Sequence, residues 1–149
     1  MNINYMEIKF KALSVNESFA RTCVASFCLQ VNPTIEELND VKTAVSEAVT
    51  NCVVHAYPYE KGEVIVNCAL VDNCLTITIK DEGIGIENFE QARMPFFTSK
   101  PEGERSGVGF AVMESFMDRL ELSKNGDKGL VVTMKKFFKG AERLKIIGG

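Results

Sequence analysis

The chain has 149 residues, 46% of them hydrophobic and 25% charged, and carries a formal net charge of −3. That length holds one sizeable core but not two ordinary domains, and the composition is that of a globular chain, not a disordered one. The acidic balance argues against the concentrated positive surface that a nucleic-acid binder needs, so no direct nucleic-acid partner is expected.

Ile8, Phe10 and Ala12 alternate with Lys9 and Lys11, which predicts a strand with one covered face. Ser14 and Glu17 have capping-box spacing and open a helix carrying Phe19, Val24, Phe27 and Cys28 to about Val31, where Asn32-Pro33 ends it. Thr34 and Glu37 form a second capping box. From there Ile35, Leu38, Val41, Val45, Ala48, Cys52 and Ala56 recur at three- and four-residue steps, drawing an apolar stripe down a long helix that stops near Tyr57-Pro58.

After Lys61-Gly62 the period shortens to two. Val64, Val66 and Cys68 interleave in one run, Leu75, Ile77 and Ile79 alternate with Thr76, Thr78 and Lys80 in the next, and Asp72-Asn73 supplies hairpin chemistry between them. From Glu87 to Arg105, two prolines, a glycine and several charges predict a short helix and then a long loop, a length that in compact domains usually serves function. Gly107 opens another helix through Val108, Val112, Phe116 and Met117, and a strand follows at Leu120 to Ser123. Asn125-Gly126-Asp127-Lys128-Gly129 then turns the chain into the β-prone run Leu130 to Phe138. This order predicts an α/β (α+β) two-layer sandwich, with helices on one face of a mainly antiparallel, mixed sheet. Residues 1–138 form the single domain, and Lys139 to Gly149 is a basic, glycine-ended tail expected to fray.

No run approaches the ~20 apolar residues of a membrane span, and the start Met1-Asn2-Ile3-Asn4-Tyr5-Met6-Glu7 lacks the basic and apolar regions of a secretory leader. Cys23, Cys28, Cys52, Cys68 and Cys74 are odd in number, form no Cys-x-x-Cys pair and sit in apolar stretches. Reduced, buried thiols in a soluble cytoplasmic protein are the expectation.

Three segments carry chemistry. Glu47 and Asn51 are four apart, so both project from one side of the long helix beside its apolar stripe. A carboxylate there can accept a proton from an attacking hydroxyl, and a neutral amide oxygen can complete the coordination of Mg²⁺ on nucleotide phosphates; a solvated helix face fits the same spacing. Asp81-x-Gly83-x-Gly85 follows directly on a strand, where an Asp can accept a hydrogen bond from an exocyclic amine such as adenine's. Two glycines let the backbone approach a ring, although an ordinary glycine turn gives the same letters. Gly107-Val108-Gly109-Phe110 at a helix start offers unpaired amides and the positive end of the helix dipole to phosphate. It is neither a P-loop nor a dinucleotide fingerprint. Just before it, Thr98, Ser99, Lys100, Arg105 and Ser106 supply donors and cations on a connection able to close over phosphates.

Together these segments resemble the Bergerat ATP-binding fold shared by gyrase and histidine kinases, with an N-box helix, an Asp-x-Gly-x-Gly turn, a lid and a Gly-x-Gly helix start. Within it, Asn16-Glu17-Ser18-Phe19-Ala20-Arg21, Ser46 to Asn51, Asp81 to Ile86, and Pro101-Glu102 through Arg105-Ser106-Gly107 are similar to the anti-sigma-F factor family, over nearly the whole chain except the tail. The resemblance implies a small serine kinase that holds a sporulation sigma factor (sigma F) inactive and phosphorylates an anti-anti-sigma factor with Mg²⁺ and ATP, leaving ADP. It implies Glu47 as general base, Asn51 as Mg²⁺ ligand, Asp81 as adenine reader, and Gly107 to Gly109 as phosphate amides. Thr50 and Thr98 to Lys100 would line the site and lid, Arg21 would be a partner contact, and the protein would be a homodimer.

One departure stands out. Relatives of the fold usually carry a threonine shortly after the glycine of the last hairpin, whereas Gly129 is followed here by Leu130, Val131 and Val132. A backbone or water contact would have to replace it. His55, the only histidine, falls one turn beyond Asn51 and reads equally well as a site or a structural residue. Two other readings share the motifs: a stress-response anti-sigma kinase, and a nucleotide-gated binding switch without kinase chemistry. A retained Glu47 speaks against the switch. A self-contained histidine kinase fares worse, since there is no dimerisation helix pair and the one histidine lies on the N-box helix itself.

Overall fold

The computed structural model describes residues 3–57, 62–94 and 109–140. In chain order these form β1 (Ile3–Lys11), α1 (Val15–Cys28) with a 3-10 turn at Leu29–Val31, and α2 (Ile35–Asn51) continued by a π-helical turn at Cys52–Ala56. There follow β2 (Glu63–Val71), β3 (Cys74–Asp81), α3 (Phe89–Arg93), α4 (Gly109–Phe116), β4 (Arg119–Lys124) and β5 (Leu130–Phe137). The strands lie in the order β1-β2-β3-β5-β4 and every described pairing is antiparallel, so the described sheet has no parallel, mixed part.

Period-two patterning decides which face is covered. Val64, Val66, Cys68 and Leu70 of β2, Leu75, Ile77 and Ile79 of β3, and Leu130, Val132 and Met134 of β5 are buried with Val24 of α1, Val41, Val45 and Val49 of α2, and Met113 of α4 in one core. Both α1 and α4 pack against α2, which is the central helix of the covering layer. Each fully buried Val, Leu or Ile is worth about 1.5–3 kcal/mol, whereas a cross-strand pair on the open face is worth roughly 0.2–1 kcal/mol. The covered face therefore sets register: a one-residue slip of β3 would carry Leu75, Ile77 and Ile79 to solvent.

The helix starts differ from one another. At α2 the capping box is complete, with the Glu37 N–H donating to the Thr34 hydroxyl at 3.1 Å and the Thr34 N–H donating to Glu37 Oε1 at 2.9 Å. At α1 the box expected from Ser14 and Glu17 does not form: Ser14 is itself in a helical conformation without a side-chain cap, and Glu17 pairs with Arg21 instead. Glu37 has a second task, since its Oε2 accepts the Lys139 N–H at 2.7 Å and so ties the end of the sheet to the start of α2. The remainder of the tail, from residue 141 on, lies outside the described residues. The hairpin turn is where the sequence places it, with Asp72 at φ 53°. None of the five cysteines is in a disulfide, Cys28, Cys52 and Cys68 are buried, and burial pushes the Cys28 and Cys68 thiols up to about 12. Among the described residues no helix is long and apolar enough to cross a membrane.

Candidate functional site

The site starts at the C-terminal half of α2. The apolar stripe turns Val45, Ala48, Val49 and Cys52 into the core and leaves Glu47 and Thr50 half-buried at its margin. Asn51, the last α-helical residue, is 7% exposed, yet its amide bonds to no described side chain or backbone group. Beyond it the helix widens into the π turn, a departure from α geometry often found at functional sites. That turn holds His55 half-buried and directs Cys52 and Ala56 inward.

β3 delivers Asp81 to the same place. Its carboxylate is 2% exposed and is received by three donors: the Gly83 N–H at 2.9 Å and the Leu130 N–H at 3.2 Å on Oδ1, and the Cys52 thiol at 3.5 Å on Oδ2. Burial raises the Asp81 pKa, and those three hydrogen bonds partly oppose the shift. A carboxylate offers about four acceptor positions. With two taken on Oδ1 and only a thiol on Oδ2, one stays open for an incoming N–H.

The glycine turn is seated on the end of α2. The Ala56 carbonyl accepts the Ile84 N–H at 3.0 Å, and any side chain on Gly83 would collide with that carbonyl. Gly85 has φ 75° and Gly129 φ 109°, backbone that glycine alone takes readily. A Cβ on Gly129 would strike the Asp81 carbonyl, so glycine is what lets β5 begin close enough for the Leu130 N–H to reach Asp81. The strand that lacks the threonine contributes a backbone amide to the Asp81 carboxylate. Thr133 pairs across from Thr78 and Glu121 on the open face, opposite to the face of Asp81.

Glu47, Thr50, Asn51, Asp81, Gly83 and Gly85 are thus brought to one end of the sheet, around the end of α2. Gly109 begins the described part of α4, which lies against α2, and the Phe110 side chain is buried in the core. Thr98, Ser99, Lys100, Arg105, Ser106, Gly107 and Val108 lie outside the described residues. Arg21 reaches across from α1, paired with Glu17 at 3.2 Å and donating to the Ser18 and Ser46 hydroxyls at 3.3 and 3.4 Å, which places it beside the helix that carries Glu47. Cys52, Tyr57 and the Leu130 amide were not legible as site residues. Cys52 reads as stripe and Tyr57 as a stop signal, and a backbone donor has no sequence signature.

The histidine kinase-like ATPase domain family matches residues 10–136. The chain is 56% identical over 136 residues to the anti-sigma F factor of Clostridium acetobutylicum, covering 91% of this chain and 94% of that one. This chain belongs to the anti-sigma F factor family. Its members of the same name in Caldanaerobacter subterraneus subsp. tengcongensis, 53% identical over 134 residues (90% and 94% covered), and Geobacillus sp., 49% identical over 142 residues (95% and 97% covered), extend the likeness over nearly the full length. Among solved structures, the histidine kinase domain from the Erythrobacter litoralis EL346 blue-light activated histidine kinase superposes with a TM-score of 0.54 at 17% identity. It matches 86% of this chain, which spans only 63% of that structure, and at that identity the likeness is one of fold. The expected α+β ATPase-type sandwich is therefore the fold of this family member.

The neutral amide of Asn51 has the chemistry of a single protein ligand to a nucleotide-bound metal. Among the described residues no three His, Cys, Asp or Glu side chains converge into a metal cage, and Asn51 offers one amide oxygen free of hydrogen bonds to other described residues. Mg²⁺ suits such a site, since it takes one or two protein oxygens and completes its shell with phosphates and water.

Proposed function

We propose that this family member is an anti-sigma factor and a serine protein kinase: it binds Mg-ATP, holds a sporulation sigma factor (sigma F) inactive, and phosphorylates an anti-anti-sigma factor on serine. The observation that carries this reading is the seating of a buried, polarised Asp81 on the end of the very helix that presents Glu47 and Asn51. Base recognition and phosphoryl chemistry then share one rigid frame. The shared name of its relatives supports the sigma-factor partner.

In this mechanism Asp81 accepts a hydrogen bond from the adenine amine, and the Gly83–Gly85 backbone lies along the ring. Asn51 would hold Mg²⁺, which would supply charge neutralisation to the phosphate oxygens. Gly107, Val108 and Gly109 present amides to the phosphates, with Thr98, Ser99, Lys100, Arg105 and Ser106 closing over them and Thr50 lining the floor. Glu47 accepts the proton of the partner's serine hydroxyl as its oxygen bonds to the γ-phosphorus. The bond from that phosphorus to the β–γ bridging oxygen breaks, and ADP leaves with the electron pair. Arg21 serves as a partner contact, the protein works as a homodimer, and its place is the cytoplasm.

Purified protein incubated with Mg²⁺, γ-labelled ATP and a candidate anti-anti-sigma protein tests the reading. Label on the partner's serine is expected in wild type, and is lost in Glu47→Ala with ATP binding retained. Binding without transfer in wild type would leave only a nucleotide-gated switch.

A further inference from the structure

The peptide group between Asp81 and Glu82 is held at both poles by side chains. The Asn125 amide donates to the Asp81 carbonyl at 2.8 Å, and the Glu82 N–H donates to the Tyr57 hydroxyl at 2.7 Å. That hydroxyl also donates to the Glu63 carbonyl at 2.9 Å, at the start of β2, so its proton is committed and it receives Glu82 on a lone pair. Tyr57 is only 9% exposed, and a Cβ on Gly62 would fall on its ring, so the ring cannot swing unless the start of β2 moves. Rotation of the 81–82 peptide would shift the turn that carries the Gly83 N–H, one of the donors that hold Asp81 Oδ1. Tyr57 follows directly on the π turn that continues the helix of Glu47 and Asn51.

We infer that Tyr57 is a positioning residue for base recognition: its hydroxyl fixes the Asp81–Glu82 peptide and, through it, the direction in which Asp81 accepts, favouring purines with an exocyclic amine over those with a carbonyl. The inference rests on Asp81 as the base reader. A Tyr57 that merely braced the turn against β2 would affect stability and all nucleotides alike.

The test is equilibrium binding of Mg-ATP and Mg-ITP, whose hypoxanthine bears a carbonyl where adenine bears its amine, to the full chain as wild type, Tyr57→Phe, Asn125→Ala and Asp81→Asn, each with a thermal melt. Wild type is expected to prefer ATP. Tyr57→Phe should lower that preference roughly threefold to tenfold, the worth of one hydrogen bond, through ATP with ITP nearly unmoved. Asn125→Ala, which releases the other pole of the peptide, should shift it in the same direction, and decides the matter should Tyr57→Phe fail to fold. A preference abolished by Asp81→Asn but unchanged in Tyr57→Phe, or in Asn125→Ala standing in for it, overturns this inference alone. Equal affinities in wild type, unmoved by Asp81→Asn, overturn the reading of Asp81 and this inference with it.

Discussion

Asp81 and Glu47 are the two carboxylates of the proposed site, yet Asp81 is only 2% exposed and accepts three hydrogen bonds from its own fold, whereas Glu47 stands half-buried on a helix margin. The contrast suits the roles proposed for the two groups. An acceptor that reads a base works by not moving, and fixed donors hold it in place before the ligand arrives. A general base has to meet a hydroxyl from another protein and carry off its proton, which needs access more than fixity. In the proposed mechanism the first comes from the end of a core strand and the second from the edge of an apolar stripe.

The largest expected effect comes from breaking the reacting end alone. Glu47→Gln should slow single-turnover transfer by about a hundredfold or more, the usual worth of a positioned base, while a calorimetric titration shows ATP affinity unchanged. Parallel losses of both would mean that the two ends are not separable. Damage to the base end should instead appear in folding. Gly129→Ala puts a side chain at φ 109° against the Asp81 carbonyl and should cost roughly 2–3 kcal/mol in denaturant unfolding, with weaker ATP binding.

Titration sharpens the comparison further. Because burial raises the Asp81 pKa, the group protonates on acidification before an ordinary Asp does. Its stabilising contribution to the fold is thus fully present below the usual Asp range and is lost as pH rises through the raised value, where the buried group must carry charge. Base reading runs the other way: the preference for ATP over ITP should fall as pH is lowered through that value, and Asp81→Asn should make it flat. The ratio cancels protonation of the shared triphosphate.

Much of this was legible in the sequence where the signal was a period or a spacing. Five strands, the central helix and the Asp72 hairpin follow from alternation and stripe, and Glu47, Asn51 and the Asp81 turn from motif spacing. What was not legible depends on geometry that letters do not carry. The two capping boxes show the limit, since the same spacing forms the paired bonds at Thr34 and none at Ser14, where Glu17 is drawn to Arg21. Thr34→Ala should therefore cost about 1 kcal/mol in thermal or denaturant unfolding and Ser14→Ala close to nothing. The π turn, the Tyr57 bridge and the Leu130 amide on Asp81 likewise arise from how α2, β3 and β5 meet, not from any local pattern.

The most direct test of the central claim, that the end of α2 and the Asp81 turn make one nucleotide site, is a calorimetric titration of Mg-ATP into wild type, Asn51→Ala and Asp81→Asn. The account predicts one saturable site per chain, weakened roughly tenfold or more by either substitution. Binding that survives both substitutions at wild-type strength would contradict it.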